Sequence, residues 1–143
     1  ILNKFLHLLC CFYFSLYIDN IHMGNMKKKI LIAEDDKAII EVIKIILENE
    51  GYIIIATDRK EAIYEALKEH TPDLILLDIW LLGEDGGQIA KLLKQKKETK
   101  HIPIIIMSAN NETEKITNDA GANDFLLKPF NIDDLLYVVK KHI

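Results

Sequence analysis

The amino-acid sequence predicts an α/β fold, a doubly wound, five-stranded parallel sheet with helices on both faces. From Met26 onward, short apolar runs alternate five times with amphipathic segments. The runs are rich in Ile and Leu and nearly continuous in apolar character, which is typical of strands buried on both faces. Strand–helix units repeated at this spacing indicate a parallel sheet covered by helices on each side.

The predicted strands are Ile30–Ala33, Tyr52–Ala56, Leu74–Leu77, Ile104–Met107 and Phe125–Leu127. The first helix is expected between Asp36 and Glu50, with Gly51 at the position where a helix commonly ends in a left-handed glycine. A D-x-x-E pattern from Asp58 to Glu61 predicts the start of the second helix.

The last three helices differ in the strength of their signals. Apolar stripes mark two of them: Ile89, Leu92 and Leu93 in the third, and Ile132, Leu135, Leu136 and Val139 in the fifth. Asn131 with Asp134 predicts the fifth helix's start. The fourth, at about 111–120, has Ile116 and Ala120 as nearly its only apolar residues. We therefore expect it to be short and mobile.

Composition limits the classes of protein that the chain can represent. Its 143 residues fit one domain, since domains usually contain roughly 100–200 residues. A formal net charge of -4 argues against a nucleic-acid surface, which needs clustered Lys and Arg. There is no solenoid repeat and no low-complexity linker.

Residues 1–25 differ from the rest of the chain. Phe5–Ile18 is apolar and uncharged, and it contains both cysteines, Cys10 and Cys11. The run is shorter than the roughly 20 residues of a membrane-spanning helix. We interpret 1–25 as an extension outside the working protein, produced by a mis-assigned start; a membrane anchor and a docked extension are the alternatives. The cysteine-free body, residues 26–143, fits a reducing compartment, the cytoplasm.

Polar groups suited to chemistry occur at the ends of four of the five predicted strands. In open α/β sheets, ligands bind beyond the carboxyl ends of the strands. These groups are Glu34, Asp35 and Asp36 after the first strand, Asp78 at the third, Ser108 at the fourth and Lys128 after the fifth.

The residue types narrow the reaction. Carboxylates brought together repel one another, and Mg²⁺ is a hard cation that takes one or two carboxylates together with phosphate oxygens. A lysine and a hydroxyl suit the equatorial oxygens of a phosphoryl group in transfer. A carboxylate can itself accept that group. From its position at the end of the central strand, Asp78 is the candidate nucleophile.

Four segments together resemble the receiver domain of bacterial two-component response regulators. They are KKKILIAEDD (27–36), PDLILLDIWLLGEDG (72–86), IPIIIMSAN (102–110) and GANDFLLKPF (121–130). The resemblance extends from about Lys28 to the C-terminus. It implies a flavodoxin-like sheet with the strand order 2-1-3-4-5 and five helices.

The resemblance implies specific roles at the acidic edge. Asp78 would accept a phosphoryl group from a histidine kinase or a histidine phosphotransfer protein. Glu34 and Asp35 match the family's acidic pair, which holds Mg²⁺ together with Asp78. Trp80 would offer its backbone carbonyl to the metal. Asp36 is then expected to start the first helix.

The resemblance also implies a switch. Ser108 takes the position of the hydroxyl that hydrogen-bonds the phosphoryl group, and Lys128 would pair with that group. The Lys128–Pro129 bond matches a site that is usually cis in the family. Phe125 takes the place of the switch aromatic, which would turn inward when Ser108 moves. The face formed by the fourth helix, fifth strand and fifth helix would change with it.

Three features depart from the family pattern. Leu82 stands where proline is usual, which is expected to loosen the loop after Asp78. The segment from Ser108 to Gly121 is about two residues short, which argues against the usual dimerisation through this face. Trp80 is bulky beside the phosphoryl site, and with Asn110 it is expected to restrict hydrolytic water and slow the decay of the acyl-phosphate.

The resulting functional prediction is a stand-alone receiver of residues 26–143, because the chain stops after the fifth helix. We expect a phosphoacceptor regulator whose only catalysis is its own phosphorylation and dephosphorylation. We expect a downstream protein target, no direct nucleic-acid contact, no membrane contact unless residues 1–25 are real, and a monomer or weak dimer.

Three rival functions remain open at this level. A flavodoxin-like cofactor binder would need a phosphate cradle where this chain has three acids. A haloacid-dehalogenase-type phosphohydrolase would need an aspartate at the position of Trp80. A pseudo-receiver, which acts as a phosphorylation-independent interaction module, is the strongest rival, and the intact set of site residues argues against it.

Overall fold

A computed structural model describes residues 26–81 and 83–143, so residues 1–25 and Leu82, with the predictions made for them, lie outside the described residues. Five parallel strands form one sheet in the order β2-β1-β3-β4-β5. The strands are β1 Lys29–Ala33, β2 Ile53–Thr57, β3 Leu74–Asp78, β4 Ile104–Ser108 and β5 Asp124–Leu127. The predicted parallel sheet and strand order are confirmed.

Five helices cover the two faces of this sheet, as predicted. They are α1 Lys37–Asn49, α2 Lys60–Glu69, α3 Gly86–Gln95, α4 Thr113–Ala120 and α5 Ile132–His142. One face packs against α1 and α5, and the other packs against α2, α3 and α4. Both central strands, β3 and β4, are buried at every position. Fully burying one Ile or Leu side chain contributes about 1.5–3 kcal/mol, so this core holds the sheet together.

Helix starts confirm two sequence signals and overturn a third. Asp36 caps α1 by accepting the backbone N–H groups of Ala38 and Ile39. Asn131 and Asp134 form a reciprocal capping box at α5. The predicted start at Asp58 is wrong, because α2 begins at Lys60 with an extended Arg59 before it and no side-chain cap.

The exposure of two residues corrects the apolar stripes predicted for α3 and α5. Leu92 of α3 is 42% exposed and Ile132 of α5 is 55% exposed, so neither belongs to the core. Both lie on the solvent side of helices whose buried faces are made by neighbouring positions, such as Leu93 and Leu135. In the part of the chain that the structure describes, no helix combines the length and the apolar character needed to cross a membrane.

The fourth helix is short, as predicted, but its buried face differs from the predicted one. Thr113, Thr117 and Ala120 are its buried residues, while Ile116 is only partly buried. The hydroxyl of Thr117 donates to the carbonyl of Thr113 at 2.7 Å. Threonine can be buried here because each hydroxyl finds a backbone acceptor one turn earlier.

Asp73 joins the amino ends of β1 and β3. Its Oδ2 accepts the backbone N–H of Lys29 at 2.8 Å, and its Oδ1 accepts the Lys28 ammonium at 2.9 Å. Partial burial works to raise the pKa of Asp73, but these hydrogen bonds outweigh it and hold the pKa below the ordinary 3.8. The ionised carboxylate therefore stabilises the folded state.

We expect Asp73→Asn to lower the free energy of unfolding at neutral pH by about 1 kcal/mol, the typical net value of a hydrogen bond. Because the folded-state pKa is depressed, this stability is present above the unfolded pKa and is lost as the pH falls through the folded pKa. The difference in the free energy of unfolding between wild type and variant should become smaller below pH 3.8. Urea unfolding at neutral and acid pH measures it.

Asp58→Asn is the matched control, because Asp58 is exposed and caps no helix. It should change the free energy of unfolding by no more than about 0.5 kcal/mol. An Asp73→Asn deficit that persists unchanged in acid would contradict the assigned charge effect.

Candidate functional site

The candidate site lies at the carboxyl edge of the sheet, where the strand ends meet. Glu34 follows β1, Asp78 ends β3, Ser108 ends β4 and Lys128 follows β5. The parallel register sets Asp78 opposite Met107 and places Ser108 beside the end of β5. The predicted strand-end groups are therefore brought to one place by the fold.

A buried ion network links three of these groups. The ammonium of Lys128 lies 2.6 Å from Oε2 of Glu34 and 3.1 Å from Oδ1 of Asp78. The Glu34 side chain is 1% exposed and that of Lys128 is 17% exposed. The other oxygen of Glu34 accepts the backbone N–H of Asp36 at 3.1 Å. Ion pairs in such a poorly hydrated place interact more strongly than surface pairs.

The network shifts the proton affinity of its members. Burial raises the pKa of Glu34, and the hydrogen bonds from Lys128 and Asp36 only partly offset it. Burial works to lower the pKa of Lys128, but its hydrogen bonds to Glu34 and Asp78 outweigh it and raise the pKa. Lys128 therefore stays charged, whereas the pKa of Glu34 lies above its ordinary value.

Three carboxylates form a candidate metal site. One oxygen each from Glu34, Asp35 and Asp78 lies within 4.8 Å of the others. This donor set consists only of hard oxygen atoms and carries surplus negative charge, and both properties suit Mg²⁺. The residues present therefore fit the predicted cation.

Ser108 and Phe125 occupy different environments. Ser108 is 1% exposed, and its Oγ accepts the backbone N–H of Asn110 at 2.9 Å. Its carbonyl accepts the N–H of Lys128 at 2.8 Å, and the bond from Lys128 to Pro129 is cis. Phe125 is partly buried on β5, in register with Ile106.

The segment after Asp78 forms a short antiparallel hairpin, Trp80–Leu81 with Glu84–Asp85. Its end is closed by Gly86, whose N–H donates to the Ile79 carbonyl at 2.7 Å. Asp85 then caps α3 by accepting the N–H of Gly87 at 2.8 Å. An exposed ion pair, Lys60 to Glu84 at 3.3 Å, adds a contact from α2.

Gly86 is a site-determining residue that sequence reasoning missed. A Cβ at this position would lie 2.2 Å from the Asp78 carbonyl oxygen and 2.9 Å from Cα of Ile79. Only glycine allows so close an approach of two backbones. The D-G dipeptide at 85–86 was a turn signal, but it could not show which backbone would approach it.

Trp80 is more exposed than its position two residues after Asp78 suggests. Its side chain is 61% exposed, and it borders a cleft of about 240 Å³ between α3 and α4. Asn110 lines the same cleft, together with Gly87, Gln88, Lys91, Ile116 and Asp119. The two residues predicted to restrict water therefore line one cleft.

Comparisons with known proteins identify relatives of this chain and of its fold. A family model described as a response regulator receiver domain matches residues 30–140. The phosphate regulon transcriptional regulatory protein PhoB of Klebsiella pneumoniae is 35% identical over 117 residues, which make up 80% of this chain and 51% of PhoB. The chain thus spans about half the length of the curated relatives it matches.

Two solved structures are also similar. A two-component response regulator from Clostridium difficile is 31% identical with a TM-score of 0.73, and the match covers 80% of this chain and 94% of that one. The receiver domain of the sensor histidine kinase PA1611 from Pseudomonas aeruginosa is 26% identical with a TM-score of 0.73, covering 81% and 97%. Its crystal structure has a magnesium ion in the active-site cleft.

We expect Gly86→Ala to displace the end of β3, because the new methyl group meets rigid backbone atoms. Strain of this kind typically costs about 1–3 kcal/mol of folding stability. The displacement should also weaken Mg²⁺ binding at the three carboxylates. Urea unfolding and a Mg²⁺ titration, followed by the fluorescence of Trp80, the only tryptophan, measure the two effects.

Gly83→Ala is the control in the same hairpin. Gly83 has a φ of 85° but no heavy atom within 4 Å of the added Cβ. It should lose about 1–2 kcal/mol from backbone strain and keep its Mg²⁺ affinity. Equal Mg²⁺ affinities in the two variants would contradict the role assigned to the Gly86 contact.

Proposed function

Because the chain belongs to the response regulator receiver domain family, we propose that it accepts a phosphoryl group on Asp78 and passes the signal on through its surface. The observation that carries this proposal is the contact of the Lys128 ammonium with the Asp78 carboxylate at 3.1 Å. A fixed cation next to a nearly buried carboxylate is suited to the charge of an incoming phosphoryl group.

In the proposed transfer, a carboxylate oxygen of Asp78 attacks the phosphorus of a phosphohistidine. A P–O bond forms as the P–N bond of the donor breaks, and the electron pair stays on the imidazole nitrogen. Lys128 is already desolvated and charged, so it needs little reorganisation to pair with a phosphoryl oxygen. Ser108, at the end of the neighbouring strand, would hydrogen-bond another of these oxygens.

Glu34, Asp35 and Asp78 would hold Mg²⁺ together with the backbone carbonyl of Trp80. When bound, the ion neutralises charge on the phosphoryl oxygens. Antiparallel pairs alternate between hydrogen-bonded and non-hydrogen-bonded kinds. Since Gly86 donates to Ile79, the next pair, Trp80 with Asp85, is expected to be the non-bonded kind, which leaves the Trp80 carbonyl free. The magnesium ion in the active-site cleft of the PA1611 receiver supports the choice of this cation.

The switch is proposed to involve Ser108 and Phe125. Ser108 would turn toward the phosphoryl group, and Phe125 would move into the space that it leaves. Phe125 has no hydroxyl, so its inward position leaves no polar end unsatisfied. The surface of α4, β5 and α5 would then bind the downstream protein differently.

The phosphodonor, the compartment and the output of this activity are proposed from the family. The phosphodonor is proposed to be a histidine kinase or a histidine phosphotransfer protein, and the compartment is proposed to be the cytoplasm. The chain would catalyse only its own phosphorylation and dephosphorylation. We propose protein contact rather than nucleic-acid contact as its output, in a monomer or weak dimer of one receiver domain, residues 26–143.

Incubation with Mg²⁺ and acetyl phosphate tests the acceptor. We expect one phosphoryl group per wild-type chain by intact mass, and none on Asp78→Asn, because an amide cannot form the acyl-phosphate. Omitting Mg²⁺ should abolish labelling. Asp133→Asn, which changes an exposed acid on α5, should be labelled like wild type. A wild type that shows no response to Mg²⁺ would favour the pseudo-receiver instead.

Trp80→Asn tests control of the phosphoryl lifetime. The indole and Asn110 line the same cleft, and Trp80 lies two residues after Asp78, so removing the ring should let hydrolytic water approach Asp78 more easily. We expect several-fold faster loss of the phosphoryl group, measured after the donor has been removed. Tyr137→Asn removes another exposed aromatic ring, on α5, and should not alter the decay. An unchanged phosphoryl lifetime in Trp80→Asn would contradict this role of the indole.

A further inference from the structure

Backbone and side-chain hydrogen bonds hold Asn110 in the loop between β4 and α4. Its backbone N–H donates to Oγ of Ser108 at 2.9 Å. Its side-chain Oδ1 accepts the N–H of Glu112 at 2.9 Å, and its carbonyl accepts the N–H of Thr113 at 3.2 Å. Asn110 therefore connects the end of β4 directly to the beginning of α4.

Thr113 makes the helix side of this connection. It is the first residue of α4 and is fully buried, and its hydroxyl also donates to the Asn110 carbonyl. A buried hydroxyl that lost this acceptor would have to replace it or bear the cost of an unpaired polar group. The two bonds from Thr113 thus hold Asn110 in the orientation that points its N–H at Ser108.

The helix that depends on this connection has little other local support. It has only eight residues, and Glu112 at its N-cap makes no side-chain capping bond. Helices this short are marginal on their own, and Thr and Asn are weak helix formers. The first turn is closed by the Ile116 N–H, which donates to the Glu112 carbonyl at 3.0 Å.

We propose that Ser108, Asn110 and Thr113 form a latch, with Thr113 as a positioning residue that couples the Ser108 hydroxyl to the first turn of α4. While the latch is closed, Asn110 holds Ser108 in the arrangement seen here. When Ser108 turns away, the N–H of Asn110 loses its acceptor and the first turn of α4 loosens. The link to phosphorylation rests on the proposed function, whereas the latch itself belongs to the unmodified protein.

Amide hydrogen exchange in the unmodified protein tests the latch. Ser108→Ala and Thr113→Val should each speed the exchange of the Ile116 amide, because each removes one end of the latch. In the double variant, the increase in the exchange rate should be about fivefold smaller than the product of the two single-variant increases. This is the size of a typical coupling between residues in one network. Thr113→Ser restores the hydroxyl and should exchange like wild type.

Binding of beryllofluoride with Mg²⁺, followed by Trp80 fluorescence, tests the coupling to the acceptor. Thr113→Val should bind about fivefold more tightly than wild type, because opening the latch no longer opposes binding. A substitution that merely damaged the fold would not tighten binding. Thr117→Val removes a buried hydroxyl that donates to the Thr113 carbonyl and not to Ser108 or Asn110, and it should leave the affinity unchanged.

The beryllofluoride and hydrogen-exchange experiments test the proposed function and the latch separately. A wild type that does not bind beryllofluoride overturns the proposed function, and the exchange measurements still decide the latch. Independent effects of Ser108→Ala and Thr113→Val on Ile116 exchange would overturn the latch. So would a Thr113→Ser variant that behaves like Thr113→Val, since the hydroxyl would then be irrelevant.

Discussion

The ammonium of Lys128 lies between the carboxylates of Glu34 and Asp78, and this contact joins the ends of three strands that are far apart in the chain. Three charges can be held in so dry a place only if the sheet fixes their positions. The parallel sheet does so, because burial of β3 and β4 on both faces leaves little freedom at their ends. The arrangement of the charged edge therefore depends on the packing of the core.

The charged edge also carries a cost in stability. Burial raises the pKa of Glu34, so ionising this carboxylate costs more in the folded state than in the unfolded chain. Threonines occupy two buried positions of α4, where their hydroxyls need backbone acceptors. Departures from local rules are expected at functional sites. Both departures lie at or beside the carboxyl edge, next to the proposed acceptor.

Much of the site could be predicted from particular residues. Glu34, Asp78, Ser108 and Lys128 follow recognisable strands, and parallel topology requires their ends to meet. Local patterns located the caps at Asp36 and Asn131. The same kind of pattern failed at Asp58, because α2 begins one residue later than a cap at Asp58 requires and has no side-chain cap. The exposure of Leu92 and Ile132 depended on how each helix rotates against the sheet, which periodicity defines only roughly.

The sequence alone therefore determined the order of strands and helices, the type of sheet and the set of polar groups at its carboxyl edge. These features follow from short-range apolar patterns and from the topology of parallel strands. Tertiary structure decided that Lys128 contacts both acids, that Gly86 touches the Asp78 backbone, and that Thr113 is buried beneath Asn110. The two Lys128 contacts join residues distant in sequence, and all four contacts depend on positions set to within a few tenths of an ångström, which only the packed core provides.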